Sequence, residues 1–230
     1  MVVTYVAMVS IAARLAASPA DESWDNINAM DDACLALLTL TDRVTVAAVR
    51  GNAGAGGCFL ALAADRVWAR DGVVLNPHYR NMGNLYGSEY WTYLLPRRVG
   101  AERAREVMQR RQPMLAAEAA SIGLIDACFG ADPAGFEVEA AARAAALAVD
   151  DAWAAMIDEK ARRRARDEAA RPLADWRAEE LTHLHRNFYG FDPSYHVARY
   201  HFVLKSPHSW TPRHLARHRE LGFDNPIVSH

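Results

Sequence analysis

Cysteine is scarce in this chain: three in 230 residues, Cys34, Cys58 and Cys128, an odd number with no two-residue spacing. Neither a disulfide framework nor a zinc ribbon follows from such a set, and a reducing cytoplasm suits it. A dominant charge is missing too. The 26 basic and 28 acidic side chains leave a formal charge of −2, so the balance draws the chain neither to nucleic acid nor to an acidic membrane surface. The apolar opening, residues 1–17, is too short to span a bilayer; it is interrupted by Arg14 and has no positive segment ahead of it, unlike a secretory signal. Metal chemistry lacks its usual patterns. His183 and His185, and His214 and His218, are paired in sequence, but no H-E-x-x-H occurs, and packed or surface histidines are expected.

What the chain does have is Arg50-Gly-Asn-Ala-Gly-Ala-Gly-Gly-Cys58, between an apolar run and a run of small residues. Val44-Thr-Val-Ala-Ala-Val49 reads as a buried strand, and Gly57-Cys-Phe-Leu-Ala-Leu-Ala-Ala64 as a packed helix. A glycine turn from strand into helix presents free N–H groups at the positive end of a helix dipole. Such a place can hold a phosphate, or polarise a carbonyl whose oxygen gains charge in a transition state. The dinucleotide pattern G-x-G-x-x-G fails here because Phe59 stands where the third glycine belongs. A P-loop fails as well, since no lysine is near. A tight turn that only lets a helix pack on a sheet remains open.

Further on, residues 65–70 and 73–76 read as short strands around the turn Asp71-Gly72, followed by a loop through Gly83 and a helix from about Ser88 to Leu95. The ordered set of that strand, the Gly54-Ala-Gly-Gly-Cys58 turn, Asp65, Leu75-Asn-Pro77, Gly83 and Ala119-Ala-Ser-Ile-Gly-Leu-Ile-Asp126 resembles the crotonase (enoyl-CoA hydratase/isomerase) superfamily. Longer segments resemble one subgroup more closely. They are Trp24-Asp-Asn-Ile-Asn-Ala-Met-Asp-Asp32, Asn76-Pro-His-Tyr79, Gly87-Ser-Glu-Tyr-Trp-Thr-Tyr-Leu-Leu-Pro96, Asn187-Phe-Tyr-Gly-Phe-Asp-Pro-Ser-Tyr-His196 and His201-Phe-Val-Leu-Lys-Ser-Pro-His-Ser-Trp-Thr-Pro-Arg213. These are similar to the C-terminal half of the hydrogenase-maturation factors HypX/HoxX.

The resemblance implies an α/β fold: a partial crotonase β-β-α spiral core over residues 21–130, with a helical C-terminal region over 131–230. Residues 1–20 are expected to be an irregular start to a truncated chain. It also implies a CoA thioester as ligand, with formyl-CoA the acyl donor and carbon monoxide the product delivered to the nickel–iron hydrogenase machinery. No metal, nucleic acid or membrane is implied; an oligomer is compatible with it. Gly56 N–H is then the candidate donor to the thioester oxygen, with Gly57 beside it. A second donor belongs on a loop just before Asp21, where no matching motif stands. Tyr79 lies where many crotonases place a catalytic glutamate, and Phe59 where they place the other, which disfavours hydration by paired carboxylates.

Decarbonylation needs a donor to oxygen, a base, and an acid that returns a proton to sulfur. Glu89, ten residues past Tyr79 at the start of the next helix, can face the same pocket, so Tyr79 is expected as a hydrogen-bond donor and Glu89 as the proton carrier. Arg80 or a helix N-terminus would favour a phenolate at Tyr79, whereas a neighbouring carboxylate would favour the phenol. A generic enoyl-CoA hydratase or isomerase, and a non-catalytic fragment or protein-interaction module, are the alternatives. Two further expectations concern helices. Trp24, Ile27, Met30, Cys34 and Leu37 recur at spacings of three and four as one buried face. The Arg162-Arg-Arg-Arg-Ala-Arg166 cluster is expected to be a solvated face balanced by Asp158, Glu159, Asp167 and Glu168.

Overall fold

The computed structural model describes residues 18–204. The expectations for residues 1–17, for His214 and His218 and for the segment after Leu204 lie outside the described residues.

The chain opens with α1 (Pro19–Thr39), capped by Ser18, whose hydroxyl accepts from Asp21 N. Ile27, Met30 and Cys34 are buried as the spacing predicts, while Trp24 and Leu37 are partly buried against the same core. Strand β1 (Val46–Val49) leads through β2 (Ala53–Gly54) into α2 (Gly56–Leu62). Then come β3 (Arg66–Arg70) and β4 (Val74–Asn76), joined by the expected turn at Asp71 and Gly72. Two small sheets result. In one, β1, β3 and β6 (Ala127–Phe129) run parallel in the order β1-β3-β6. In the other, β4 is central, parallel to β2 and antiparallel to β5 (Met114–Leu115). This is a crotonase-like α/β core. The short strands suit β-branched and alanine residues, and α2 buries Cys58, Phe59, Ala61 and Leu62 against the core.

Helix α3 (Trp91–Val99) starts three residues later than the sequence suggests. The reason is local: Glu89 and Tyr90 adopt left-handed backbone, φ 57° and 58°, which a helix cannot include. Glu89 therefore sits in the turn before the helix instead of in its first turn. Two helices follow, α4 (Ala101–Arg110) and α5 (Ala116–Ser121). The alanine- and arginine-rich stretch 134–171 divides into α6 (Pro133–Ala148) and α7 (Trp153–Ala170). The break is fixed by Asp150, whose side chain accepts from Ala152 N at 2.7 Å. On α7, Glu159 takes Arg162 and Arg166, and Arg164 pairs with Glu168, so these arginines are balanced by acids as expected.

Helices α8 (Leu173–Tyr189) and α9 (Ser194–Leu204) return to the core, to which they contribute Leu173, Leu184, Phe188 and Tyr195. Segments far apart in sequence meet here. Trp24 packs edge-on against His185 and Phe188, Tyr195 donates to Ser23 Oγ at 2.8 Å, and Tyr86 N donates to Asn187 Oδ1 at 3.0 Å. His183 stacks on Tyr86 with ring centroids 4.1 Å apart. Both paired histidines of α8 are thus packed on aromatic rings.

Candidate active site

The glycine turn is sharper than glycine alone accounts for. Ala55, the residue before α2, has φ 49° and ψ −127°, a strained conformation for a residue with a Cβ. Its amide is held by Asn76 O at 2.9 Å, and its carbonyl accepts from Cys58 N and Phe59 N. Among the described residues, neither Gly56 N–H nor Gly57 N–H has a hydrogen-bond acceptor. The two amides proposed to grip an acyl oxygen are thus the two left over at the start of α2.

Glu89 packs against Gly56. A methyl group on Gly56 would stand 2.8 Å from Glu89 Cδ and 2.8 Å from Met30 Cε, so only glycine leaves room for the carboxyl. Tyr79 Oη is hydrogen-bonded to Glu89 Oε2 and lies 2.9 Å from Ser88 O. Its ring stacks on Phe59 at 5.4 Å, and its other side packs so closely on Gly87 that a Cβ there would overlap it. The structure therefore brings together Gly56, Gly57, Phe59, Tyr79 and Glu89, all of them buried.

The electrostatics follow from burial. Glu89 is 1% exposed, and burial pushes its carboxyl up to about 8, with Asp31 and Glu180 adding to the rise. Burial and the neighbouring carboxylate hold the Tyr79 phenol well above its ordinary value. No cation contributes at Tyr79, so of the two environments expected for it the carboxylate one is realised, and Arg80 plays no part. The proton count is informative. Tyr79 has one hydroxyl proton and two acceptors in reach, Ser88 O and Glu89 Oε2. Both contacts are satisfied when Glu89 is protonated and donates to Tyr79 Oη while the phenol donates to Ser88 O. Glu89 Oε1, on the side of Gly56, has no partner among the described residues.

Sequence reasoning missed Asp31 and Glu180. Asp31 Oδ1 accepts from Ser88 Oγ at 2.5 Å and Glu89 N at 2.8 Å. Glu180 accepts from Tyr90 N at 3.0 Å, Thr92 N at 2.8 Å and Thr92 Oγ1 at 2.5 Å. Both are fully buried. A signal for them existed: Asp31 lies four residues after Ile27, and Glu180 four after Trp176 and four before Leu184, each on the apolar face of its helix. No group of three metal-ligating side chains occurs among the described residues.

The family model for enoyl-CoA hydratase/isomerase matches residues 13–192. The chain belongs to that family. Within this enoyl-CoA hydratase/isomerase fold, several relatives are similar over most of the chain. The hydrogenase maturation factor HoxX of Bradyrhizobium diazoefficiens is 54% identical over 204 residues, which cover 89% of this chain and 36% of HoxX. The crystal structure of HypX from Aquifex aeolicus in complex with tetrahydrofolic acid superposes with a TM-score of 0.84 at 51% identity, covering 92% of this chain and 37% of HypX. The chain thus spans just over a third of the length of these relatives. The enoyl-CoA hydratase of Bacillus halodurans, at 21% identity and a TM-score of 0.67, shares the fold over 84% of this chain and 72% of its own.

Proposed function

We propose that this chain binds a CoA thioester and releases carbon monoxide from formyl-CoA, as the crotonase-like part of a cytoplasmic protein that serves hydrogenase maturation. The observation that carries the reading is the buried Glu89 carboxyl, packed against Gly56, whose amide is free, and bonded to Tyr79. Similarity to HoxX and HypX supports the maturation role, and membership of the enoyl-CoA hydratase/isomerase family supports the CoA thioester. The tetrahydrofolic acid bound to HypX fits a one-carbon donor upstream of this step.

The reaction balances without an oxidant. The formyl C–H bond breaks and its electron pair stays on carbon, while its proton goes to the base. The C–S bond breaks with its pair on sulfur, and the thiolate takes up a proton, leaving CO and CoA thiol. Gly56 N–H holds the acyl oxygen, the Glu89 carboxyl carries the proton, and the Tyr79 phenol steadies the departing sulfur. Two features favour the smallest acyl group. Met30 and Glu89 close tightly on Gly56, and Phe59, stacked on Tyr79, offers no carboxylate to activate water for hydration.

The test uses the full-length protein, with released CO trapped by a haem protein. Tyr79→Phe and Glu89→Gln should each slow CO release by about 10²–10³-fold while CoA still binds in calorimetry. Undiminished release from both variants rejects the roles. Hydration of crotonyl-CoA in place of CO release would favour a generic hydratase. No heat with millimolar CoA would leave a protein-interaction module.

A further inference from the structure

The chemistry above uses neither Asp31 nor Glu180, yet both are costly to bury and both point at the same short turn. Asp31 reaches it from α1 and takes the amide of Glu89, while Glu180 reaches it from α8 and takes the amide of Tyr90. Those two amides belong to the two peptide planes that flank the Glu89 Cα. Fixing both planes fixes φ and ψ of Glu89, and with them the direction of its side chain. Left-handed backbone at two successive non-glycine residues persists only where the surroundings over-determine it. Here the surroundings are two carboxylates from opposite ends of the chain, with Ser88 Oγ and Thr92 Oγ1 completing their shells.

We propose that Asp31 and Glu180 are positioning residues for Glu89, clamping the peptide on each side of it and so aiming its carboxyl between Gly56 and Tyr79. This rests on the reading of Glu89 as the proton carrier. Asparagine at position 31 would keep the acceptor for Glu89 N, whereas glutamine at position 180 has one oxygen for the two amides, Tyr90 N and Thr92 N, that the two Glu180 oxygens take. Around Glu89 stand Asp31 and Cys34 on α1, Tyr79 and Ser88 on the preceding loop, Glu180 and Arg177 on α8, and the amide end of α2. Of these only Arg177 is a cation, and it is spent on α1. Its Nε lies 3.6 Å from Asp31 Oδ2 and its Nη1 is 2.6 Å from Asp32 Oδ1. Burial pushes both Glu89 and Glu180 up to about 8, and a proton on either relieves the crowding.

Two readouts on the full-length protein separate the clamp from ordinary support. One is CO release from formyl-CoA as a function of pH. The other is the infrared carboxylic C=O band of Glu89, assigned by its loss in Glu89→Gln. Asp31→Asn keeps the acceptor for Glu89 N, so turnover should fall by less than tenfold; Glu180→Gln keeps one of two acceptors and should fall between that and the alanine variant. Asp31→Asn should lower the Glu89 midpoint by about one pH unit, and the rate profile should move with it. Asp31→Ala and Glu180→Ala release the peptide planes and should cost about 10²-fold in kcat with KM nearly unchanged. Folded alanine variants with unaltered turnover and band midpoint overturn the proposal. Should those variants fail to fold, an unmoved midpoint and profile in Asp31→Asn overturn it. Should the wild-type protein release no CO, the function falls but the band midpoint still decides the clamp.

Discussion

Acids cluster at both ends of α2, fully buried at one and part-exposed at the other, and they are treated in opposite ways. Beyond its C-terminus, Asp65 is held by Lys160 at 2.6 Å, Asp126 by Arg98 at 2.8 Å and Asp167 by Arg97 at 2.5 Å. Each acid there has a cation from another element, and the set fastens α7 and α3 to the sheet. Before its N-terminus, Asp31, Glu89 and Glu180 share a single arginine and are held by amides and hydroxyls instead. Opposite charge locks a structure at little cost in reactivity, whereas like charge kept dry lifts proton affinity into the physiological range. The second arrangement destabilises the fold and is retained where chemistry needs it.

Stability measurements can break this contrast. The largest loss is expected for Phe59→Ala, which removes a fully buried ring stacked on Tyr79 and should cost about 3–5 kcal/mol in urea unfolding. Lys160→Ala comes next. Its side chain is 8% exposed and also donates to Arg43 O; its loss would leave Asp65 with Thr45 and the more distant Arg163 at 3.7 Å, and should cost about 2–3 kcal/mol. A loss near zero would mean that the cation-paired end is not a lock.

The pH dependence sharpens the other half. Glu89 has a folded value of about 8 against an ordinary 4.5, so between those values the native state holds more protons than the unfolded one. Stability should therefore fall as pH rises from about 4.5 to 8, by at most about 1.4 kcal/mol per pH unit from this group, and level off above. Glu89→Gln should reduce that slope and leave the part contributed by Glu180, which is also pushed up to about 8. An unchanged slope would place the raised affinity elsewhere in the cluster. The smallest effect is expected for Arg162→Ala, an exposed partner of Glu159 at 3.3 Å, whose melting temperature should match the parent's.

Much of the architecture was readable because its signals are local. β-branched residues before Gly51, small residues after Gly56 and the Asp71-Gly72 turn each specify their own element. The meeting of Tyr79 and Glu89 was not local information; it came through resemblance, since ten residues of irregular loop carry no periodicity. The left-handed backbone at Ala55, Glu89 and Tyr90 had no residue-type signal at all, for glycine or asparagine is the usual mark of that region. Asp31 and Glu180 were hidden for a different reason. Each stands beside another acid, Asp32 and Glu179, and such pairs read as solvated surface unless helical phase is weighed against composition.

The reach of α8 back to the turn before α3 sets the smallest working unit of this chain. A version shortened to end with α6 would keep the glycine bend, the phenol and the glutamate, every group proposed to meet the acyl group. It would still lose the Glu180 carboxylate that holds Tyr90 and Thr92, and with it the orientation on which proton transfer depends. In this fold the chemistry belongs to the middle of the chain, and its aim belongs to the end.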